Sequence, residues 1–144
     1  ELIPCCTGMI QREVAWRIAS PPGNKSYGIL SVMIQAWYDV EYLFTVNENV
    51  FNPPPKVKSA VIRMTRNSRE SLGCDEALFR RIVKAVFGQR RKMLRVSLRQ
   101  ITGERAVEPA FWQHAYMTRR PEQLSVEEFV ELTNIVGAEL RRAI

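Results

Sequence analysis

Eight basic side chains and no acidic one lie between Ala77 and Gly103 of the 144-residue sequence. At 100° per residue, four of them fall within an arc of about 100° on one helix: Arg91, Lys92, Arg95 and Arg99. Two interpretations of this basic face stay open. It is a solvated surface, or it binds nucleic-acid phosphates, since arginine forks match phosphate oxygens and counterion release rewards clustering. The rest of the run is Arg80, Arg81, Lys84 and Arg90.

Three successive prolines, Pro53 to Pro55, separate two segments of strand-like composition. Proline lacks the backbone donor that a strand ladder needs and holds an extended path, so we predict a stiff loop between two strands. Phe51 begins this loop, where an aromatic ring either stacks on an extruded base or belongs to the core. Lys56 follows the prolines and either contacts a phosphate or stays in solvent.

The sequence alone does not define a catalytic centre or a metal site. Cys5 and Cys6 are adjacent, Cys74 stands alone, and His114 is the single histidine. Because a zinc site needs about four suitably spaced ligands, we expect no metal. The chain also lacks a G-x-G-x-x-G turn, a P-loop and a nucleophile elbow.

The composition is that of an ordinary globular protein, with 46% hydrophobic, 25% charged and 9% aromatic residues and a net charge of +6. These values exclude a disordered polar tail, a collagen-like repeat and a coiled coil. No apolar stretch approaches the roughly 20 residues of a membrane span, and no leader opens the chain. With an odd, unpatterned cysteine count, these features predict a soluble cytoplasmic protein without membrane contact.

Hydrophobic patterning predicts the elements of the first half of the chain. Since the chain begins with Glu1 and apolar residues follow almost at once, we expect a piece of a longer protein. The predicted elements are a strand over Thr7–Ile10, a polar turn with a helix from Val14, a buried helix over Tyr27–Tyr38, and strands over Tyr42–Val46 and Ser59–Met64.

The composition changes after Arg66, and residues 67–74 are predicted to form a polar linker between domains. Residues 75–144 follow a helical period, with one helix ending at Gly88 and a second carrying Leu94, Leu98 and Ile101 on its inner face. The spacing Ser125-x-x-Glu128 has the form of a capping box, which predicts the start of a final helix.

Four segments together closely resemble the ribosomal RNA adenine dimethyltransferases of the KsgA type: 11–15 (QREVA), 27–32 (YGILSV), 50–61 (VFNPPPKVKSAV) and 87–95 (FGQRRKMLR). The resemblance runs from about Met9 to Val136, with the motifs in the family's order and at comparable spacing. The F-x-P-x-P-K-V-x-S loop and the F-x-Q-R-R-K helix are its most specific motifs.

This resemblance implies both an α/β fold and a methyltransferase activity. Residues 1–66 would supply the terminal strands and helices of a doubly wound methyltransferase sheet, and residues 75–144 a small all-α domain. The implied activity is transfer of methyl groups from S-adenosylmethionine to N6 of two adjacent adenosines near the 3′ end of small-subunit ribosomal RNA, during ribosome assembly. The implied partners are that RNA and the small ribosomal subunit.

Two motifs of the family would lie upstream of Glu1: the glycine-rich cofactor loop and the Asn-x-Pro-aromatic motif that holds the target amine. The segment alone is therefore expected to be inactive and to contribute no cofactor-binding residue. Phe51 matches the loop aromatic expected beside the flipped adenine, and Lys56 matches the loop lysine. The basic residues expected to meet RNA are Arg90, Arg91, Lys92 and Arg95, with Arg99 on the same predicted face.

Two positions depart from the family's usual pattern. Trp16 stands where the family commonly has an acidic residue, in V-A-E-R-[IL]. Lys58 stands where Asp is common in P-K-V-D-S, and the change either removes a turn hydrogen bond or adds charge for RNA.

A second class of function also fits the basic residues. A non-catalytic RNA-binding or ribosome-assembly module, or a transcription-factor relative of the same fold, would use the same basic face without methylating anything. The sequence upstream of Glu1 and a methyl-transfer assay distinguish these alternatives.

Overall fold

The computed structural model describes residues 3–104 and 107–142, which form three strands, seven α-helices and three short 3₁₀ helices. The strands are β1 (Cys5–Gln11), β2 (Tyr38–Val46) and β3 (Ser59–Arg66). The helices are α1 (Arg12–Ala19), α2 (Ile29–Gln35), α3 (Glu76–Gly88), α4 (Leu94–Ser97), α5 (Arg99–Thr102), α6 (Pro109–Trp112) and α7 (Val126–Arg142). The predicted domain limits at residues 1 and 144 lie outside the described residues.

The chain divides into two compact units, one ending at Arg69 and the other beginning at Glu70. The three strands, α1 and α2 belong to the first unit, and the remaining helices belong to the second. Each unit has its own buried apolar residues, so each is described by itself below.

The sheet of the first unit has the strand order β1-β3-β2, and β3 runs antiparallel to both neighbours. One face is covered by the two helices, with Ala15 and Ile18 of α1 buried against Ala60 and Ile62 of β3. Alternate residues of a strand point to opposite faces, so Val61 lies on the other side.

The second face of the sheet carries an exposed apolar row. Val61 is opposite both Met9 and Phe44 in the strand register, and residues directly opposite each other share a face. Met9 is 50% and Phe44 54% exposed. The first unit therefore presents apolar surface that the described helices leave uncovered.

The strand and helix at the start of the chain follow one another without the predicted polar turn. β1 ends at Gln11 and α1 begins at Arg12, because Val14, Ala15 and Ile18 fall on one helical face that covers the sheet. Glu13 and Arg17 form an ion pair of 2.8 Å along the helix surface. The helix ends at Ala19, and Pro21 and Pro22 follow it, where proline could not continue the helix.

Helix α2 is shorter and less buried than predicted, since Leu30 is 43% exposed. Two polar side chains tie its inner side to α1. The Ser31 hydroxyl donates to the carbonyl of Arg17, and the Gln35 amide donates to the carbonyl of Ile18 at 2.7 Å. Because polar groups occupy part of the inner face, the apolar residues at the N-terminal end of α2 reach the surface.

In the second unit α3 packs against α7 around the fully buried Phe79, Ile82, Phe129 and Leu132. The predicted capping box is confirmed: the backbone N–H of Glu128 donates to Ser125 Oγ at 3.2 Å, and that of Ser125 donates to Glu128 Oε1 at 3.0 Å. The final helix therefore begins where the sequence placed it.

Candidate nucleic-acid interface

The four basic residues predicted to share one helix face do not lie on one helix, so that prediction is wrong. Helix α3 ends at Gly88, and the backbone turns over residues 89–93, where Lys92 N–H donates to the Gln89 carbonyl at 2.9 Å. Met93 is extended (φ −68°, ψ 154°), which starts a new helix instead of continuing the first. A second break at Leu98 divides α4 from α5.

These breaks distribute the predicted RNA-binding residues over three short pieces. Arg91 and Lys92 lie in the turn, Arg95 on α4 and Arg99 on α5. All four are exposed, whereas Leu94, Leu98 and Ile101 are buried, which confirms the predicted inner face. We call Arg91, Lys92, Arg95 and Arg99 the basic surface.

The members of the run differ in their partners. Arg91, Lys92 and Arg95 make no ion pair within the part of the chain that the structure describes. The Arg99 guanidinium lies 4.7 Å from the ring centroid of Trp112, which orders it by a cation–π contact. Arg90 is half-buried and paired with Glu122 at 3.5 Å. Arg91, Lys92 and Arg95 are therefore best placed to bind phosphates.

A hydrogen bond and an ion pair tie the basic surface to the segment ahead of α7. The backbone N–H of Leu94 donates to the carbonyl of Arg119 at 2.9 Å. The Arg119 guanidinium in turn donates to Glu128 Oε2 at 2.6 Å, and this hydrogen bond lowers the pKa of Glu128. Glu128 thus links the start of α7 to Arg119, whose carbonyl accepts the hydrogen bond from Leu94 at the start of α4.

The proline loop connects β2 to β3, as predicted. It begins with one turn of 3₁₀ helix over Glu48–Val50, which Asn47 caps by accepting from Asn49 N–H at 2.9 Å. Phe51 follows half-buried, the Asn52–Pro53 peptide is cis, and Lys56 is exposed. Phe51 is thus neither fully in the core nor fully in solvent.

A cleft of about 450 Å³ opens in the first unit, where Gln11, at the end of β1, lies opposite Ser59, at the start of β3. The backbone N–H of Arg12 donates to the carbonyl of Lys58 at 2.9 Å, which joins the first turn of α1 to the end of the proline loop. The charged side chains and the one ring that line this cleft are Arg12, Glu13, Trp16, Arg17, Lys25 and Lys58.

Sequence reasoning singled out Trp16 and Lys58 only as departures from a family pattern, and it passed over Arg12 and Lys25. No spacing signal identifies this cleft, because its lining comes from α1, from the connection to α2 and from the loop before β3. The cleft and the proline loop belong to the first unit, and the basic surface to the second.

Within residues 3–104 and 107–142, no helix combines the length and apolar character needed to cross a membrane. The described part of the chain also brings together no group of three or more His, Cys, Asp or Glu side chains that would hold a metal ion.

The fold of this chain matches part of two solved RNA methyltransferase structures. A dimethyladenosine transferase from Plasmodium falciparum matches with a TM-score of 0.79 at 20% identity, over 95% of this chain and 58% of that one. The 23S rRNA methyltransferase ErmE matches with a TM-score of 0.56 at 25% identity, over 92% of this chain and 55% of that one. These neighbours confirm the predicted fold class.

The chain belongs to the ribosomal RNA adenine dimethylase family, whose model matches residues 6–137. It is 64% identical over 99% of its length to the ribosomal RNA small subunit methyltransferase A of Bacteroides thetaiotaomicron, of which it covers 52%. The protein of the same name from Parabacteroides distasonis is 59% identical over 99% of this chain and 52% of that protein. The chain thus spans about half the length of the curated relatives it matches.

Proposed function

We propose that this chain is the C-terminal portion of an enzyme that methylates N6 of two adjacent adenosines near the 3′ end of small-subunit ribosomal RNA. The observation that carries the proposal is the 64% identity, over almost the whole chain, to a ribosomal RNA small subunit methyltransferase A. The reaction would take place in the cytoplasm, during assembly of the small ribosomal subunit.

The proposal assigns the methyl donor to the part of the enzyme upstream of Glu1. S-adenosylmethionine supplies the methyl group when bound. The described residues contain no glycine-rich strand–loop–helix that would cradle it, so no cofactor-binding residue is assigned here. For the same reason we propose that this chain is inactive alone.

Phe51 and Lys56 are proposed to hold the target nucleotide. An adenine amine is a poor nucleophile because its lone pair is delocalised into the ring, so its reaction depends on exact positioning beside the methyl donor. The half-buried ring of Phe51 has part of its surface free to stack on an extruded adenine. The exposed ammonium of Lys56 follows in the same loop and would neutralise a neighbouring phosphate.

The second unit is proposed to bind the RNA backbone. The exposed cations of the basic surface lie on three short pieces of chain, the turn, α4 and α5, and together they offer several phosphate contacts to the RNA. Arg90 contributes less directly, because Glu122 already neutralises its charge.

The sequence encoded upstream of Glu1 tests this proposal against its alternative. A glycine-rich strand–loop–helix followed by Asn-x-Pro-Tyr or Asn-x-Pro-Phe supports the methyltransferase. An upstream start codon close to Glu1, or an upstream domain lacking both motifs, would leave a non-catalytic RNA-binding or assembly module, or a transcription-factor relative. That alternative uses the same basic surface, so RNA binding alone does not separate the two.

A further inference from the structure

We propose that Trp16 and the cations around it form a second RNA subsite, which holds one unpaired nucleotide through base stacking and a phosphate contact. The inference rests on the proposed RNA-binding function and adds a site in the first unit. We call the cleft lined by Arg12, Trp16, Lys25 and Lys58 the Trp16 cleft.

The charge of the Trp16 cleft favours an anion. Its described lining carries four cations, Arg12, Arg17, Lys25 and Lys58, and one carboxylate, Glu13. That carboxylate is already paired with Arg17 at 2.8 Å. Arg12 and Lys58 make no ion pair with any described residue. Two cations therefore remain uncompensated in a cleft of about 450 Å³, a volume typical of small-ligand sites.

The ring of Trp16 supplies a stacking surface at the same place. An indole is costly to leave in water, yet Trp16 is 45% exposed. The Arg12 guanidinium lies 4.6 Å from the centre of the indole, so the cation and the ring are held together as one wall. A stacked base would cover this apolar surface, and every base offers a flat π face.

A second depression next to the Trp16 cleft provides room for the base. It has a volume of about 380 Å³, shares Trp16 and Ser26 with the first, and its described lining is uncharged. Tyr42 stands in its wall. The two depressions thus place a cationic space and a neutral aromatic space around one indole. A nucleotide has that division, with a charged phosphate beside an uncharged base.

The chemistry favours a single strand over a duplex. Bases in a duplex are stacked on each other and do not expose a face, whereas an unpaired base stacks freely on an aromatic side chain. The same depressions would also accept a free nucleotide, so the test includes one. We expect the short single-stranded RNA to bind better, because only a chain carries further phosphates toward the other cations.

The test measures binding of labelled oligoadenylate to the full-length protein by fluorescence anisotropy, with a duplex of equal length for comparison. Trp16→Ala should weaken oligoadenylate binding at least about fivefold and leave duplex binding unchanged, whereas Trp16→Phe should stay within about twofold. Lys58→Gln should reduce the magnitude of the slope of log K against log salt concentration by about 0.7. Arg141→Gln, a matched loss of one exposed charge on α7, should leave both quantities unchanged.

Any one of three results would overturn the subsite. The first is that Trp16→Ala binds oligoadenylate as well as Trp16→Phe does. The second is that Trp16→Ala weakens duplex binding as much as single-strand binding, and the third is that adenosine monophosphate competes at the same concentration as the oligonucleotide. Crosslinking needs no variant: 4-thiouridine RNA irradiated with the wild-type protein should attach to the peptide containing Trp16, and its absence there contradicts the subsite.

The outcomes also separate this inference from the proposed function. A wild-type protein that methylates ribosomal RNA, but whose cleft variants bind RNA normally, loses only the Trp16 subsite. A wild-type protein that neither binds RNA nor methylates it loses both.

Discussion

Nη2 of Arg90 donates to Oε2 of Glu122 at 3.5 Å, and the two side chains are only 34% and 26% exposed. The Arg90 guanidinium also lies 5.6 Å from the ring centroid of Phe87. The next residue, Arg91, is exposed and has no such partner within the described chain. Two neighbouring arginines of one motif therefore have different tasks, the first holding the second unit together and the second facing solvent.

Removing these two arginines should affect stability differently. Arg90→Ala loses a partly buried ion pair and a cation–π contact and should lower the free energy of unfolding by about 1 kcal/mol. Arg91→Ala should change it by less than about 0.5 kcal/mol, as surface substitutions usually do. Urea unfolding of the two variants measures the difference. Equal losses would show that Arg90 has no structural role.

In RNA binding we expect the exposed arginines to matter more than Arg90. Arg91→Ala and Arg95→Ala in the full-length protein should each weaken binding to small-subunit ribosomal RNA and reduce the salt slope by about 0.7 to 0.9, because each removes one phosphate contact. Titrations at several salt concentrations give both quantities. Arg141→Ala serves as the matched control. An unchanged salt slope in the Arg91→Ala/Arg95→Ala double variant would contradict phosphate binding by the basic surface.

Phe51→Ala should slow methylation of ribosomal RNA by the full-length enzyme about fivefold or more. A base–aromatic stack contributes about 1–3 kcal/mol, and the extruded adenine would lose it. Val50→Ala alters the preceding, strongly exposed side chain and should leave the rate within about twofold. A Phe51→Ala rate equally close to that of the wild type would remove the stacking role.

The cap of α7 predicts a pH dependence of stability. The hydrogen bond from Arg119, followed by those from Ser125, lowers the pKa of Glu128 below its ordinary 4.5, with burial opposing them. A lowered folded-state pKa stabilises the fold above pH 4.5, and this contribution is lost as the pH falls through the folded value.

Glu128→Gln should therefore cost about 1 kcal/mol at neutral pH and progressively less in acid. Urea unfolding between pH 7 and 3 follows this convergence. Glu76→Gln, in the first turn of α3, is the matched control and should cost less stability than Glu128→Gln at neutral pH. A Glu128→Gln deficit that stays constant down to pH 3 would contradict the ionic account of this cap.

The sequence predicted the capping box of α7 correctly because its two residues, Ser125 and Glu128, are only three positions apart. Helical arithmetic failed for Arg91 and Arg95 because it assumed an unbroken helix, whereas the chain turns over residues 89–93 and the backbone N–H of Leu94 donates to the distant carbonyl of Arg119. The Trp16 cleft could not be predicted from the sequence, because the pairing of β1 with β3 brings Arg12 and Lys58 together. The roles of Phe51 and Lys56 stay predictions.

Methyl transfer to adenosine can be measured with the full-length protein, labelled S-adenosylmethionine and small-subunit ribosomal RNA from a strain lacking the enzyme. Mass spectrometry of the RNA should find dimethylated N6 on two adjacent adenosines near the 3′ end, and the 144-residue chain alone should transfer nothing. RNA that binds the full-length protein but stays unmethylated would contradict the claim and leave a nucleic-acid-binding relative of the family.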